Sequence, residues 1–373
     1  MASIRPSLAA GAIVVAAALF QPAQAETEAA PPETAAAPAQ IRFAAQALPE
    51  VAAFYDARAH APLWTIAGGP LSPTPLLDAL EDAASHALPA ASYGGAALRA
   101  RVRAAEAAGV PDPALEIALS RALARYAGDM SAGALKPSAV ARSIQTFPAR
   151  PDAFASLLSA AAAPSLDVWL AGLAPKDPGY QALRALYADL GAQARAGGWR
   201  ASLAEGGTLR PGDRSPRVAQ LRDRLAELGT PAPAAADPEL YDPALEVAVK
   251  DFQRRHGLND DGLAGRRTFA ALGADAGERF RQAAVNLERM RWQPASWGHR
   301  HIQVNIPDYR MRLVEGADVL FATRVVVGTR RHQTVEFSDE MEYMVVNPTW
   351  HVPRSIATEE ILPALQENPN YLI

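Results

Sequence analysis

The hydrophobic period changes once along this chain, and the change fixes most of what it can fold into. From Ile41 to Gly273 apolar residues recur at three- and four-residue steps, whereas from His301 onward they alternate. The first spacing lines one face of a helix, the second one face of a strand. Leu115, Leu119, Leu123 and Tyr126 form one helical stripe, and Tyr180, Leu183, Tyr187 and Leu190 form another. Pro and Gly at Pro49, Gly68-Gly69-Pro70, Pro111, Pro137, Pro175 and Gly197-Gly198 cut this stretch into helices of ordinary length. The expected fold class is multidomain α + β: a helical region over 41–200, a small helical module over 209–273, and a β-rich domain opening over 281–373.

The start of the chain carries a different signal. Arg5 stands in a short polar start, an apolar run extends from Leu8 through Phe20, and Ala23-Gln24-Ala25 precedes Glu26. That order of charge, apolar core and small-x-small site predicts a signal peptide over 1–25, removed on export. The run is too short for a comfortable membrane span, which needs about 20 residues, so contact with a membrane is expected only through this segment before cleavage. Residues 26–40 are Ala, Pro, Glu and Thr with almost nothing to bury, which predicts a disordered leader and folded structure from near Ile41. An exported, periplasmic protein associated with the cell wall is the expectation.

Composition narrows the chemistry. The formal net charge of -4 gives no electrostatic reason to expect nucleic acid as a partner. With no cysteine, these 373 residues supply neither a disulfide nor a thiolate nucleophile. No Gly-rich phosphate loop, HExxH pair or Gly-x-Ser-x-Gly elbow is present, so no cofactor is expected. His299 and His301 lie two apart at a strand start, where they amount to half of a metal site without a third ligand, and no metal is expected.

Within 209–273 the local signals agree. Asp213 and Ser215 precede the stripe Val218, Leu221, Leu225 and Leu228, which ends at Gly229. Tyr241-Asp242-Pro243 supplies an N-cap and a first-turn proline; Leu245, Val249 and Phe252 follow, and Gly257 stops the helix. A third helix near Thr268 to Leu272 follows the turn Asp260-Asp261-Gly262. Further on, Ile302, Val304 and Ile306 share one face of a strand, Pro307-Asp308 turns the chain, and Tyr309, Met311 and Leu313 alternate before Glu315-Gly316 turns it again. Phe321 through Gly328 and Met341 through Asn347 are expected as two more strands of an antiparallel sheet.

These residues carry two resemblances. The string Leu209-Arg210-Pro211-Gly212-Asp213, then Val218, Leu221, Leu225, Gly229, Tyr241-Asp242, Phe252-Gln253, His256-Gly257-Leu258, Asp261-Gly262 and Gly265, resembles the three-helix peptidoglycan-binding module, with Arg266 where that family usually has proline. Asn286 through Trp292, Ile302 through Pro307, Val325-Val326-Val327-Gly328 and Asn347-Pro348-Thr349-Trp350-His351-Val352-Pro353 resemble the opening of a YkuD-fold catalytic domain of the YcbB type. Phe54-Tyr55 through Arg58, Pro62-Leu63-Trp64, Leu173, Pro175 and Tyr180 resemble the helical scaffold of those proteins.

The resemblance implies an L,D-transpeptidase that acts on peptidoglycan stem peptides and glycan. A cysteine thiolate attacks the carbonyl between the third and fourth stem residues, expels D-alanine, and a second amine resolves the thioester into a 3-3 crosslink. Such chemistry needs a low-pKa thiol beside a histidine and oxyanion donors. The family's His…Ser-His-Gly-Cys-x-Arg stretch is expected beyond Ile373, so no catalytic residue is assigned within this chain. Trp350, His351 and Pro353 are the candidates for the substrate cleft, and Asp213, Arg217, Gln253 and Asp261 those for the binding module. The alternative for Gln253 and Asp261 is that they only hold helices and a turn. Two classes stay open: an enzyme fragment upstream of its cysteine, and a non-catalytic wall-binding protein made by a premature stop. A D,D-carboxypeptidase or lytic enzyme would need zinc ligands or a catalytic glutamate in another type of domain.

Overall fold

A computed structural model describes residues 37–199, 203–204, 206–294, 296–329, 331–349 and 351–371. The expected signal peptide, the leader up to residue 36, and Trp350 lie outside the described residues. Among the described residues nine α-helices precede the binding-module region: α1 (Ala37–Gln46), α2 (Pro49–Ala57), α3 (Thr74–Asp82), α4 (Gly95–Ala108), α5 (Pro113–Ala132), α6 (Pro137–Val140), α7 (Ala153–Ala162), α8 (Leu166–Ala171) and α9 (Pro178–Arg195). Helix α1 begins at Ala37, ahead of the expected start at Ile41. Pro38 falls in its first turn, where a missing N–H removes no helical bond, and Ile41 and Ala45 bury one face.

The chain folds as two compact units, and the helical region contributes to both. The first unit holds residues up to 81, together with 90–126 and 152–170. Its α2 packs against α1 and α7, over a core that includes Ile41, Val51, Phe54, Leu76, Leu80, Leu115, Leu119 and Leu157. The buried carboxylate of Glu116 on α5 accepts from Tyr55 Oη at 2.9 Å and from the backbone N–H groups of Leu63 and Trp64. Trp64 Nε1 donates to Ser120 Oγ at 2.9 Å. Burial raises the Glu116 carboxyl above the usual range, and the donors around it oppose that rise. The loop so held doubles back on itself, because Leu71 N–H donates to Leu63 O and Thr65 N–H to Leu71 O. A Cβ at Gly69 would come within 2.3 Å of the Leu63 backbone, so this close approach requires glycine.

The second unit holds 82–89, 127–151 and the residues from 171 onward. Three helices form its compact module: α10 (Pro216–Glu227), α11 (Pro243–Arg255) and α12 (Arg266–Gly273), followed by α13 (Ala276–Arg291). Val218, Leu221, Leu225, Leu245, Val249, Phe252 and Leu272 are fully buried in one cluster, joined by Tyr241 and Ala264. Asp242 Oδ1 accepts from Leu245 N–H at 2.8 Å as the cap of α11, and Gly257 takes φ +63° just past its end. The cap of α10 departs from expectation. Ser215 occupies the N-cap position but makes no capping bond, and its buried hydroxyl has no partner. Asp213 instead accepts from Arg210 N–H at 2.8 Å, closing the turn before the helix. Helix α13 packs along α9, where Tyr187 stacks on Phe280 with ring centroids 4.4 Å apart.

Beyond α13 lies a three-stranded antiparallel sheet in the order β1 (Arg300–Asn305), β2 (Arg310–Glu315), β3 (Asp318–Arg324). Ile302 pairs with Leu313 and Leu313 with Phe321, while Val304 pairs with Met311, so these five apolar side chains share one face. That face is open: Ile302 and Val304 are each 48% exposed and Phe321 is 54% exposed. Two expectations need correction. The third strand ends at Arg324 and does not continue to Gly328, and Met341–Asn347 forms no strand. Its apolar residues suit a strand locally, but a strand exists only when a neighbour takes its N–H and C=O groups, and no such ladder adjoins it among the described residues. The short helices α14 (Arg354–Ile356) and α15 (Leu362–Glu367) follow, joined by a π turn. No helix of the described residues is long and apolar enough to cross a membrane.

Candidate functional site

In the module, Gln253 is buried and forms the hub of the turn that precedes α12. Its Nε2 donates to Asp261 Oδ1 at 3.1 Å, to Leu263 O at 3.0 Å and to Thr268 Oγ1 at 3.1 Å, while its Oε1 accepts from Gly262 N–H at 2.9 Å. Asp261 also accepts from Leu263 N–H at 2.9 Å and from Asn259 Nδ2 at 3.0 Å. These bonds, led by the one from Leu263, hold its carboxyl below the usual range. Tyr241 Oη donates to Gly262 O at 2.8 Å from the other side, and burial pushes that phenol upward. Arg217 donates to Ala204 O at 3.1 Å and to Gly207 O at 2.9 Å, with its guanidinium over the Phe269 ring. The structure thus gives Asp213, Arg217, Gln253 and Asp261 internal bonds that hold turns and helix starts. Of the four, Asp261 is exposed, Asp213 and Arg217 are half-buried, and Gln253 does not reach the surface.

The candidates of the third region are placed differently. His351 and Pro353 are both exposed, and Pro353 sits immediately before α14. They sit on the irregular stretch after the sheet. His301 stacks its ring on Trp297 at 6.0 Å and leaves a buried Nδ1 without a partner, whereas His299 uses its backbone carbonyl to accept from Gly316 N–H at 2.6 Å. Among the described residues no group of three His, Asp or Glu side chains is arranged to hold a metal ion.

Sequence reasoning missed the network that fixes α13, the helix leading into the sheet. Arg291 has a side chain with no exposure; its Nη2 donates to Glu288 Oε2 at 2.7 Å and its Nη1 to His86 O at 2.9 Å and Tyr180 Oη at 3.0 Å. Glu288 Oε1 accepts from Leu135 N–H at 2.8 Å and from Trp292 Nε1 at 3.2 Å. His86 Nδ1 lies 3.0 Å from Tyr180 Oη, and burial, helped by Arg184, lowers its pKa to about 4. The local signal was an acidic and a basic residue three apart on a helix face that ends in tryptophan; the partners at 86, 135 and 180 have no local signature. A second fastening holds the stretch after the sheet. Glu336 exchanges backbone bonds with the 143–145 segment, Gln145 N–H donating to Glu336 O and Glu336 N–H to Ser143 O, both at 2.8 Å. Arg289 on α13 adds an ion pair to its carboxylate at 2.6 Å.

Comparison with known proteins assigns a family to each region. Residues 49–186 match the scaffold domain, 214–272 the putative peptidoglycan binding domain, and 299–373 the L,D-transpeptidase catalytic domain. A Haemophilus influenzae protein named "Putative L,D-transpeptidase" is 35% identical over 89 residues, which is 24% of this chain and 18% of that relative. The chain therefore spans less than one fifth of the curated relative it matches. Scaffold, peptidoglycan-binding and L,D-transpeptidase catalytic domains are thus matched in this order along the chain, and the curated relative it resembles carries the name of an L,D-transpeptidase.

Proposed function

We propose that the protein forms 3-3 crosslinks between peptidoglycan stem peptides through a cysteine thioester, with the thiol supplied from beyond Ile373. The observation that carries this reading is the match of 299–373 to the L,D-transpeptidase catalytic domain, in a chain whose 373 residues contain no cysteine. A thioester needs a sulfur nucleophile, which Ser, Thr and Lys do not carry. The open apolar face of the sheet supports the same view, because an apolar face of this kind is normally covered. In this reading the module over 209–273 holds the protein to its polymer, the helical region over 41–200 carries both, and the signal segment directs export to the periplasm. Mass analysis of the exported protein should give Glu26 as the first residue.

The test uses residues 26–373. This protein should sediment with insoluble peptidoglycan, yet release no D-alanine from tetrapeptide stems and form no 3-3 crosslinks. Adding the downstream segment should bring turnover, and changing its cysteine to alanine should remove turnover and leave sedimentation intact. Release of D-alanine by 26–373 above a heat-killed control would overturn the assignment of the nucleophile. The absence of cysteine favours a second reading, a wall-binding protein without catalysis. It predicts sedimentation and no downstream in-frame Ser-His-Gly-Cys.

A further inference from the structure

The module also carries a surface feature apart from the four residues chosen from the sequence. On α11 and the loop after α10 there is a cleft of about 310 Å³, at the small end of the range for ligand sites. Pro231 and Pro233 form one wall, exposed Val247 forms the other, and Ala248 lies at the floor. Asp251, one helical turn along from Val247, and Arg254 and Arg255, two turns along, line its end.

The cleft is built on fixed parts. Thr230 N–H and Oγ1 both donate to Leu225 O, at 2.9 and 3.2 Å, which ties the loop to the end of α10. The nearly buried Arg222 reaches Pro238 O at 3.2 Å and Leu240 O at 3.0 Å, and pairs with Asp242 at 2.6 Å, so the loop's far end is held as well. Prolines at 231 and 233 stiffen the span between these anchors. The opposite wall is a helix whose inner face is the module core. Little ordering entropy would be lost when a ligand enters.

Its chemistry selects a peptide over a sugar. Arg254 and Arg255 both approach one carboxylate, Asp251, at 3.6 and 2.8 Å, and each is more than half exposed. The group therefore carries a net positive charge with guanidinium donors free to take carboxylates in a bidentate manner. Asp251 in turn offers an acceptor for an amine. Beside these charges stand aliphatic surfaces and Thr230, and among the described residues no aromatic ring lines the cleft to stack on a sugar ring.

We infer that this cleft is the module's site for the peptidoglycan stem peptide, with alanyl side chains against Pro231, Pro233 and Val247 and a peptide carboxylate on Arg254 and Arg255. The inference rests on the peptidoglycan-binding reading above and adds the location and the part of the polymer recognised. The experiment measures sedimentation of the full chain with intact sacculi and with glycan strands stripped of peptide by an amidase. Wild type should bind sacculi and lose binding to stripped strands. Arg254→Ala/Arg255→Ala should weaken sacculus binding about five-fold, as expected for two exposed charge contacts, and Val247→Glu should weaken it comparably. The charge-matched control Arg42→Ala/Arg103→Ala, on exposed residues of the first unit, should bind as wild type. Equal binding by the cleft variants, or equal binding of stripped strands by wild type, overturns the stem-peptide site and leaves the peptidoglycan reading standing. Failure of wild type to bind sacculi at all removes both. Circular dichroism of each variant separates loss of binding from loss of fold.

Discussion

Replacing Arg291 by methionine tests the claim that one buried cation holds α13 in place. Methionine keeps most of the apolar stem but removes every donor. Three bonds disappear: the 2.7 Å contact to Glu288, the 2.9 Å contact to His86 O and the 3.0 Å contact to Tyr180 Oη. The Glu288 side chain, 11% exposed, keeps Leu135 N–H and Trp292 Nε1 but loses its counter-charge. Breaking one side of a buried ion pair costs roughly 3–5 kcal/mol. Arg291 Nε is buried without a partner, and its removal relieves about 1–3 kcal/mol of desolvation. The net expectation is therefore about 2 kcal/mol. Urea unfolding followed by tryptophan fluorescence should show a lower midpoint with an unchanged slope. Adding Glu288→Gln should cost less than the sum of the two single changes, because the second removes a charge that the first leaves uncompensated. A loss below about 1 kcal/mol for Arg291→Met, or strict additivity in the pair, would refute the network as the element that fixes this helix.

Two further outcomes follow from buried groups. Phe252→Ala empties a fully buried site in the module core and should destabilise the module by about 3–5 kcal/mol, measured by thermal unfolding. His86 is neutral in the folded chain, its pKa lowered from 6.5 to about 4 by burial. Between those values the unfolded chain binds the extra proton, so stability is full above pH 6.5 and falls as pH drops toward 4. Denaturation midpoints across that range should decline for wild type and decline less for His86→Gln.

What was legible in the sequence follows the range of the interaction concerned. Val218, Leu221, Leu225, Leu245, Val249 and Phe252 repeat at helical spacing, and all six are fully buried as that spacing implies. The cap at Asp242 and the stop at Gly257 are equally local, and both are in place. Ser215 had the right identity and position for a cap, but its hydroxyl is not oriented to act as one, a detail no composition rule carries. The strand expected at Met341–Asn347 failed because strand formation needs a partner that an apolar run does not itself specify. Gln253 is a binding-module candidate in sequence, with holding a helix and a turn as the alternative; its four bonds come from a turn that begins several residues later and returns over it. The cleft along α11 had no sequence signal, since Pro231 and Val247 become neighbours only when the loop is drawn back by Thr230 and Arg222.

The fastening at Glu336 sets how the long irregular stretch between β3 and α14 moves. Among the described residues two backbone bonds and one ion pair meet at this single residue, so the hold there is a point and not a ladder. Release there would free both flanking arcs in one event, and re-formation must find a single point again against the entropy of a long loop. The ion-pair side chains are each about one-third exposed, which leaves that part of the hold open to screening by salt. Ionic strength, acting on one arginine and one glutamate, thereby weakens one of the three contacts made at Glu336.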